Sequence, residues 1–436
     1  MNVYRHLGGR RALRMRRKKR ALALFTIIVF PIIFILLTAV WKLGSNQERF
    51  LCGTGTTVLY DIVLDAGSTG TRVHVFEYNE QQLIRETFHS TRPGFSTLAK
   101  TSNLRINTLL DPLMETALQA VPAHYHACTR VSLKATAGLR LLEANKGELL
   151  LREARQHLTQ YPFVVDTVSI ISGDEEGIAA WITVSYLLGK MPTTTAGGNS
   201  GALAGRITTI DMGGGSAQIV LPLTRRDIVR PQCTSHMQLD GVPVKLYHYS
   251  FLGLGLKEAT QLVMRRFPKE KRTTFPCFPV GHKQVIELVG LTPFTLENIN
   301  EYTQDFNACA DIFRSLFLSL TEEQQKAFDE IRPLLSSGTS LPLLYAFSYF
   351  HDRMRHFDVG DTITVGYYKT IARTLCRSGA ESNMGTMCMD LTYLYTFLSL
   401  GLGLSDEMRL TVPKKLRDVE VSWALGTSLL SMRNQP

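Results

Sequence analysis

The sequence predicts an α/β fold in which one unit is built twice, set behind a single membrane-spanning helix. Three observations carry this. A β-branched run from Thr56 to Leu64 ends in DAGSTGTR and resumes as VHVFEY, and far downstream Arg206 to Ile210 ends in DMGGGSAQ and resumes as IVLPL. The pattern of strand, glycine-rich reversal and strand therefore occurs twice. Between the two copies, strand-like and helix-like patterns alternate, as they do in α/β folds. Ahead of both, residues 21–41 carry no charge.

At about 1.5 Å per residue, a helix over residues 21–41 spans a hydrocarbon core of roughly 30 Å. Pro31 would break a soluble helix, but a membrane span can re-satisfy the freed backbone groups. A cleaved signal peptide is the alternative. Against it, the apolar stretch exceeds the usual core of about 7 to 15 residues and no small-x-small site follows. Residues 1–20 hold Arg5, Arg10, Arg11, Arg14, Arg16, Arg17, Lys18, Lys19 and Arg20 and no acid. The positive-inside rule keeps this tail in the cytoplasm and sends residues 42–436 across the membrane, a type II arrangement. The Golgi lumen is the expected compartment, with the cell surface or a secreted form as alternatives. The tail also supplies nine of the ten excess positive charges in the chain. The basic balance thus describes the tail, and nucleic acid is excluded as a partner.

Residues 42–55 read as a stalk. All seven cysteines (52, 128, 233, 277, 309, 376, 388) follow the span, where an oxidising compartment permits disulfides. Cys376 and Cys388 close a short loop and Cys277 and Cys309 a longer one; both bridges are expected, although spacing alone leaves the pairing open. The odd count leaves at least one free or intermolecular thiol, with Cys52 beside the membrane the easiest to offer to another chain. No zinc-type spacing is present and no N-x-Ser/Thr acceptor occurs.

With 44% hydrophobic and 20% charged residues, the rest is ordinary globular chain, long enough for two domains. Helices are expected over Leu104–Ala120 and Lys146–Gln160, a strand at VSLKATA, and a helix from Glu176 to Leu188 opening after SGD. Thr193 to Gly205 reads as a surface loop between the halves. Glu258 to Pro342 reads as mixed helix and loop, and a last helix is expected near Val419 to Ser431.

The chemistry sits in the two turns. Backbone N–H groups of a glycine turn approach a polyphosphate closely, and two facing turns make a clamp. In the first, Gly67 and Gly70 permit the turn, Ser68 and Thr69 add hydroxyl donors, and Arg72 adds charge. In the second, Gly213, Gly214 and Gly215 serve the backbone while Ser216 and Gln218 add side-chain donors. Asp65 and Asp211, at the two strand ends, suit Mg²⁺ or Ca²⁺ held largely through water. Neither turn fits a P-loop, a dinucleotide fingerprint or a nucleophile elbow. Asp174, Glu175 and Glu176 offer a water-activating carboxylate, although acids at a helix start are also favoured by its dipole. KATAGLR (134–140) is a third small-residue turn with Thr136 as a candidate hydroxyl.

DAGSTGTR, KATAGLR, ISGDEEGIAAWIT, DMGGGSAQ and VSWALG, in that order, resemble the five conserved regions of the apyrase or ecto-nucleoside triphosphate diphosphohydrolase family. With one N-terminal anchor and no C-terminal span, the chain is most similar to the nucleoside diphosphatase branch. The resemblance implies a duplicated actin-like, RNase H-type fold, with one lobe over 56–172 plus 418–436 and the other over 173–417. It implies metal-dependent hydrolysis of a nucleotide substrate, UDP or GDP first and triphosphates as further substrates, to monophosphate and phosphate. It also assigns Glu176, directly before Gly177, as the base. Asp65 and Asp211 would organise the metal's water shell, and Thr136, Ser216 and Gln218 would help place metal and nucleophile. Tyr349, Phe350 and His351 fall in the implied base-stacking region, with His351 where tyrosine is expected. Asp174 stands where the family has an uncharged residue, and Trp423 reads as packing. An exopolyphosphatase or sugar kinase of the same fold, and a nucleotide-binding ectodomain without turnover, are the competing readings. The acids at 65, 176 and 211 disfavour the last.

Overall fold

The computed structural model describes residues 58–433 apart from 81, 100–103, 193–206, 225–226, 271–272, 289, 299–305, 337–342 and 378–384. The basic tail, the apolar span, the stalk, Cys52 and the Thr193–Gly205 loop therefore lie outside the described residues. No helix among the described residues is long and apolar enough to cross a membrane.

In the first lobe, β1 (Val58–Ala66), β2 (Thr71–Asn79) and β3 (Gln82–Thr91) are followed by α1 (Ile106–Ala120), β4 (Arg130–Ala135), α2 (Ala137–Arg140), α3 (Ala144–Leu158) and β5 (Val164–Ile170), after which α4 (Gly173–Leu187) crosses to the second sheet. The sheet order is β3-β2-β1-β4-β5, antiparallel from β3 to β1 and parallel from β1 to β5. β1 is central, so both its faces are buried and its sequence IVL carries no polar alternation. Ile62 and Leu64 join a core with α1, while Val63 faces the opposite core.

The second lobe contains β6 (Ile207–Met212), β7 (Ser216–Pro222), β8 (Thr234–Leu239), β9 (Val242–Leu252), α5 (Leu256–Met264) and α6 (Arg266–Lys269). The chain continues through β10 (Lys283–Ile286), β11 (Phe294–Glu297), α7 (Phe306–Leu318), α8 (Glu322–Ser336), β12 (Leu343–Ser348), α9 (Tyr349–Met354), β13 (Thr362–Thr364) and α10 (Val365–Arg377). It ends with α11 (Met387–Thr396), β14 (Arg409–Thr411), β15 (Lys415–Leu416), β16 (Val419–Glu420) and α12 (Ala424–Arg433). The sheet order is β13-β14-β12-β6-β7-β9-β8. Within it, β9-β7-β6-β12-β14 repeats the order and strand senses of the first sheet. The duplication expected from the two turns is thus present in the topology.

The lobes are interlocked by two helices. α4, which follows the last strand of the first sheet, packs on β6, β7 and β9; α12, which follows β14 and the short β15–β16 pair, packs on β1 and β2 and on α4. Gly426 makes this crossing possible, because a Cβ there would lie 1.9 Å from the Ala179 carbonyl oxygen. Ser428 ties α12 to the first lobe, donating to Asp61 at 2.5 Å and accepting from Tyr78 at 2.8 Å. Trp423 is buried in the same core, as packing.

Three expectations shift. The closing helix begins at Ala424, and Val419 pairs in a strand, since the chain must first cross from one lobe to the other. The helix expected from Glu176 starts at Gly173, because Ser172 caps it. Both expected disulfides, Cys277–Cys309 and Cys376–Cys388, are present. Cys128 is also disulfide-bonded, and the free thiol among the described residues is Cys233, buried beneath the second sheet rather than offered to another chain.

Candidate functional site

The two turns meet. A Cβ on Gly214 would stand 2.4 Å from Thr69 Cγ2 and 2.6 Å from Ser68 Oγ, so only glycine lets the second turn touch the first. The supports of each turn fix its polarity. Gly67 C=O accepts from Phe95 N–H, Gly213 C=O from Leu256 N–H and Gly214 C=O from Glu258 N–H. Because a peptide unit is planar and trans, the next N–H points the opposite way, so the N–H groups of Ser68, Gly214 and Gly215 face away from those supports. Turned-out donors of this kind form an anion cradle.

Register places the carboxylates. Asp65 opposes Arg72 across β1–β2, and Asp211 opposes Gln218 across β6–β7, the same spacing in both lobes. Arg72 Nη1 donates to Asp65 Oδ2 at 2.7 Å, so this arginine, expected as a phosphate contact, has its guanidinium on the aspartate. Asp211 is supported instead by a hydrogen bond from Ser348 on the neighbouring strand, and burial pushes its carboxyl up to about 6, with the charge of Asp65 adding to the rise. Ser348 holds φ 60°, a conformation costly for a residue with a Cβ. One oxygen of each aspartate, Oδ1, is buried without a hydrogen-bond partner. Two such orphan acceptors fit the water shell of a hard divalent cation. Among the described residues there is no group of three or more His, Cys, Asp or Glu placed to hold an ion directly.

The three neighbouring acids have separate fates. Glu175 and Ser172 form a reciprocal capping box, with Glu175 N–H donating to Ser172 Oγ at 3.1 Å and Ser172 N–H to Glu175 Oε2 at 3.0 Å. Asp174 is exposed, 3.2 Å from His248 Nδ1. Glu176 turns inward and is 7% exposed. Its Oε2 accepts from Arg140 at 2.8 Å and from Gln218 Nε2 at 3.3 Å. Burial raises its carboxyl to about 7; the Asp211 and Asp65 charges push the same way and Arg140 opposes them.

Arg140 also donates to Ser216 Oγ at 3.0 Å and to the Ile171 carbonyl at 2.9 Å. Gln218 further reaches Ser216 at 2.7 Å and Ser250 at 3.1 Å. Thr136 follows β4 at the start of α2, its N–H on the Ala66 carbonyl at the end of β1. Arg140, Ser250 and Ser348 were not expected as site residues. KATAGLR contained the signal for Arg140, the charge that closes a run of small and apolar residues, whereas Ser250 and Ser348 arrive through strand neighbours distant in sequence.

The expected base-stacking trio divides as well. Tyr349 is hydrogen-bonded to Thr69 of the first turn and lies under Arg353, 4.8 Å from ring centroid to guanidinium carbon. His351 Nδ1 donates to the Val412 carbonyl at 2.8 Å. Phe350 is corrected: it is fully buried against Tyr368, so neither face of its ring is free for a base.

The profile of the GDA1/CD39 (nucleoside phosphatase) family matches residues 54–436. The chain belongs to that family. Among its relatives, the guanosine-diphosphatase of Saccharomyces cerevisiae is 32% identical over 423 residues, covering 85% of this chain and 79% of that one. The ectonucleoside triphosphate diphosphohydrolase 5 of Gallus gallus is 32% identical over 395 residues, covering 86% and 87%. A solved structure of nucleoside triphosphate hydrolases from Neospora caninum superposes with a TM-score of 0.56 at 12% identity, covering 90% of this chain and 96% of that one, which supports the two-lobed actin-like fold. This GDA1/CD39 member is a nucleoside phosphohydrolase.

Proposed function

We propose that this chain hydrolyses nucleoside diphosphates, UDP and GDP first among them, to the monophosphate and inorganic phosphate, with Glu176 as general base. The observation that carries the proposal is the Glu176 carboxylate, buried behind two phosphate turns, oriented through Oε2 by Arg140 and Gln218, and poised near neutrality. The names of the relatives at 30% identity and above, guanosine-diphosphatase among them, point to the same substrate class.

In this scheme Ser68, Thr69, Gly214 and Gly215 hold the terminal phosphate. Gln218 and Ser216 position a water, and Oε1 of Glu176, outside both hydrogen bonds, takes its proton as the water oxygen bonds to phosphorus. The anhydride bond breaks with its electron pair on the monophosphate oxygen. Asp65 and Asp211 would hold Ca²⁺ or Mg²⁺ through water, and the ion would neutralise charge on the phosphates. Tyr349 is the member of the expected trio left to meet the base. The domain division at 56–172 plus 418–436 against 173–417, and a type II protein whose nine tail positives keep residues 1–20 in the cytoplasm and the enzyme in the Golgi lumen, complete the proposal.

Phosphate release from UDP, GDP, ADP, ATP and polyphosphate, with and without chelator, tests it. Chelator-sensitive turnover of diphosphates is expected. Turnover of polyphosphate alone, or hydrolysis that persists in chelator, overturns it.

A further inference from the structure

Three cations from three separate elements stand around the buried turns. Gly94 packs on the first turn, where a Cβ would lie 2.3 Å from the Ser68 carbonyl carbon, and Arg92 is exposed two residues before it. Gly255 packs on the second turn, where a Cβ would lie 2.4 Å from Ser216 N, and Lys257 is exposed two residues after it. Arg353 covers Tyr349, which is itself bonded to Thr69. Both lobes contribute, so the charges ring the place where the lobes meet.

The fold supplies one counter-charge. Asp390, buried, accepts from Arg353 Nε at 2.7 Å. Among the described residues Arg92 and Lys257 form no ion pair. Partial desolvation lowers the Lys257 amine, the charges of Arg92 and Arg353 lower it further and Asp390 opposes them, so Lys257 stands in the field of both arginines. Packing alone gives no reason to gather like charges at an exposed rim, since each would be better solvated apart. A dianion placed among them removes the repulsion.

We propose that Arg92, Lys257 and Arg353 form a second anion subsite, at the rim of the clamp, which takes the phosphate that stays on the nucleoside. This rests on the nucleotide reading above. Once the terminal phosphate of a diphosphate occupies the two turns, its other phosphate must lie at their edge. The same three cations then hold the monophosphate after the anhydride is cut, so product release is governed by the rim and not by the turns.

Calorimetric binding to the full chain tests this with four probes: UMP, GMP, uridine and inorganic phosphate. The monophosphates are expected to bind at least about tenfold more tightly than uridine, since charged hydrogen bonds are lost with the phosphate. Arg92→Gln and Lys257→Gln should each weaken UMP and GMP about tenfold, and leave uridine and inorganic phosphate within about twofold of the parent. Lys257→Arg should restore monophosphate affinity. In turnover, the two Gln variants should raise KM for the diphosphate with kcat little changed. Unchanged monophosphate affinity in both Gln variants overturns the subsite, as does an equal loss for inorganic phosphate, which would put the cations in the clamp. Monophosphate binding that responds as expected in a chain that releases no phosphate from any nucleotide supports the subsite and overturns the hydrolase proposal instead.

Discussion

The two glycine turns are built on one plan, and the residue facing each aspartate is where their chemistry parts most sharply. Each follows a central buried strand, and each aspartate faces the residue seven places on across an antiparallel pair, Arg72 in the first lobe and Gln218 in the second. Arg72 closes on its own aspartate. Gln218 ignores Asp211 and reaches Ser216, Ser250 and Glu176. The consequence is a division of labour: the first turn carries an ion-paired aspartate, and the second leaves Asp211 unpaired by its cross-strand partner and orients the proposed base. In the proposed reaction a symmetric scaffold would hold an asymmetric step, with Gln218 and Ser216 of the second lobe setting the water's side.

The strongest way to break this comparison is Glu176→Gln. Removing a general base costs roughly 10² to 10⁴ in rate while shape and ligand binding are kept. kcat should fall by that factor with nucleotide affinity intact, read by steady-state kinetics beside calorimetric binding. A variant within about threefold of the parent would remove the second lobe's special role.

Exchanging the diverged position is next. Arg72→Gln makes the first turn resemble the second and strips Asp65 of its cation, leaving a buried carboxylate with no ion pair; loss of a charged hydrogen bond predicts about a 10- to 100-fold loss of kcat/KM. Gln218→Ala should cost a similar factor, mainly in kcat, because it touches the base and not the aspartate. If both variants altered only KM, the turns would be equivalent phosphate binders and the asymmetry would carry no mechanism.

Much of this was legible locally, and the remainder was not for geometric reasons. Strand, Asp and glycines are contiguous in DAGSTG and DMGGGS, so the turns and their aspartates could be read directly. Glu176 could be placed by order along ISGDEEG, but its separation from Glu175 depends on the Ser172 cap, which sets which carboxylate turns inward. Ser250 and Ser348 are brought in by β9 beside β7 and β12 beside β6, pairings that no local pattern states. Phe350 failed as a base contact because the chain turns helical immediately after Ser348. A helical step of about 100° rotates position 350 off the face of Tyr349 and into the core.

Proton occupancy sharpens the contrast further. Burial places the Glu176 carboxyl near 7, so kcat/KM should rise with pH and level off above about 7. Arg140 lowers this value, and Arg140→Gln should therefore move the rise to higher pH. The stability effect has the opposite sign. With the folded value above the ordinary 4.5, the folded state holds the proton more tightly, so this group's contribution to stability falls as pH increases from about 4.5 to about 7. A pH profile unchanged by Arg140→Gln would mean that Arg140 does not set the base.

The smallest expected effect decides between two adjacent carboxylates. Glu175 and Glu176 differ by one position, and a reading from composition alone would treat both as dipole-favoured acids at a helix start. The capping box separates them: Glu175 folds back on Ser172 N–H, 3.0 Å away, and so lies at the helix rim while Glu176 faces the cleft. Glu175→Gln keeps an acceptor for that N–H and loses only the charge at the helix N-terminus, about 0.3 to 1 kcal/mol. Urea denaturation should detect a loss of that size or none. Turnover should stay within about twofold of the parent, because nothing that touches the phosphate turns has changed. The pair of variants is thus an internal ruler, with identical chemistry at neighbouring positions and expected rate losses differing by at least about a hundredfold. Were Glu175→Gln to destroy turnover with nucleotide affinity held, and Glu176→Gln to spare it, the base would sit on the outer face of α4 and the role given to Gln218 would fall with it.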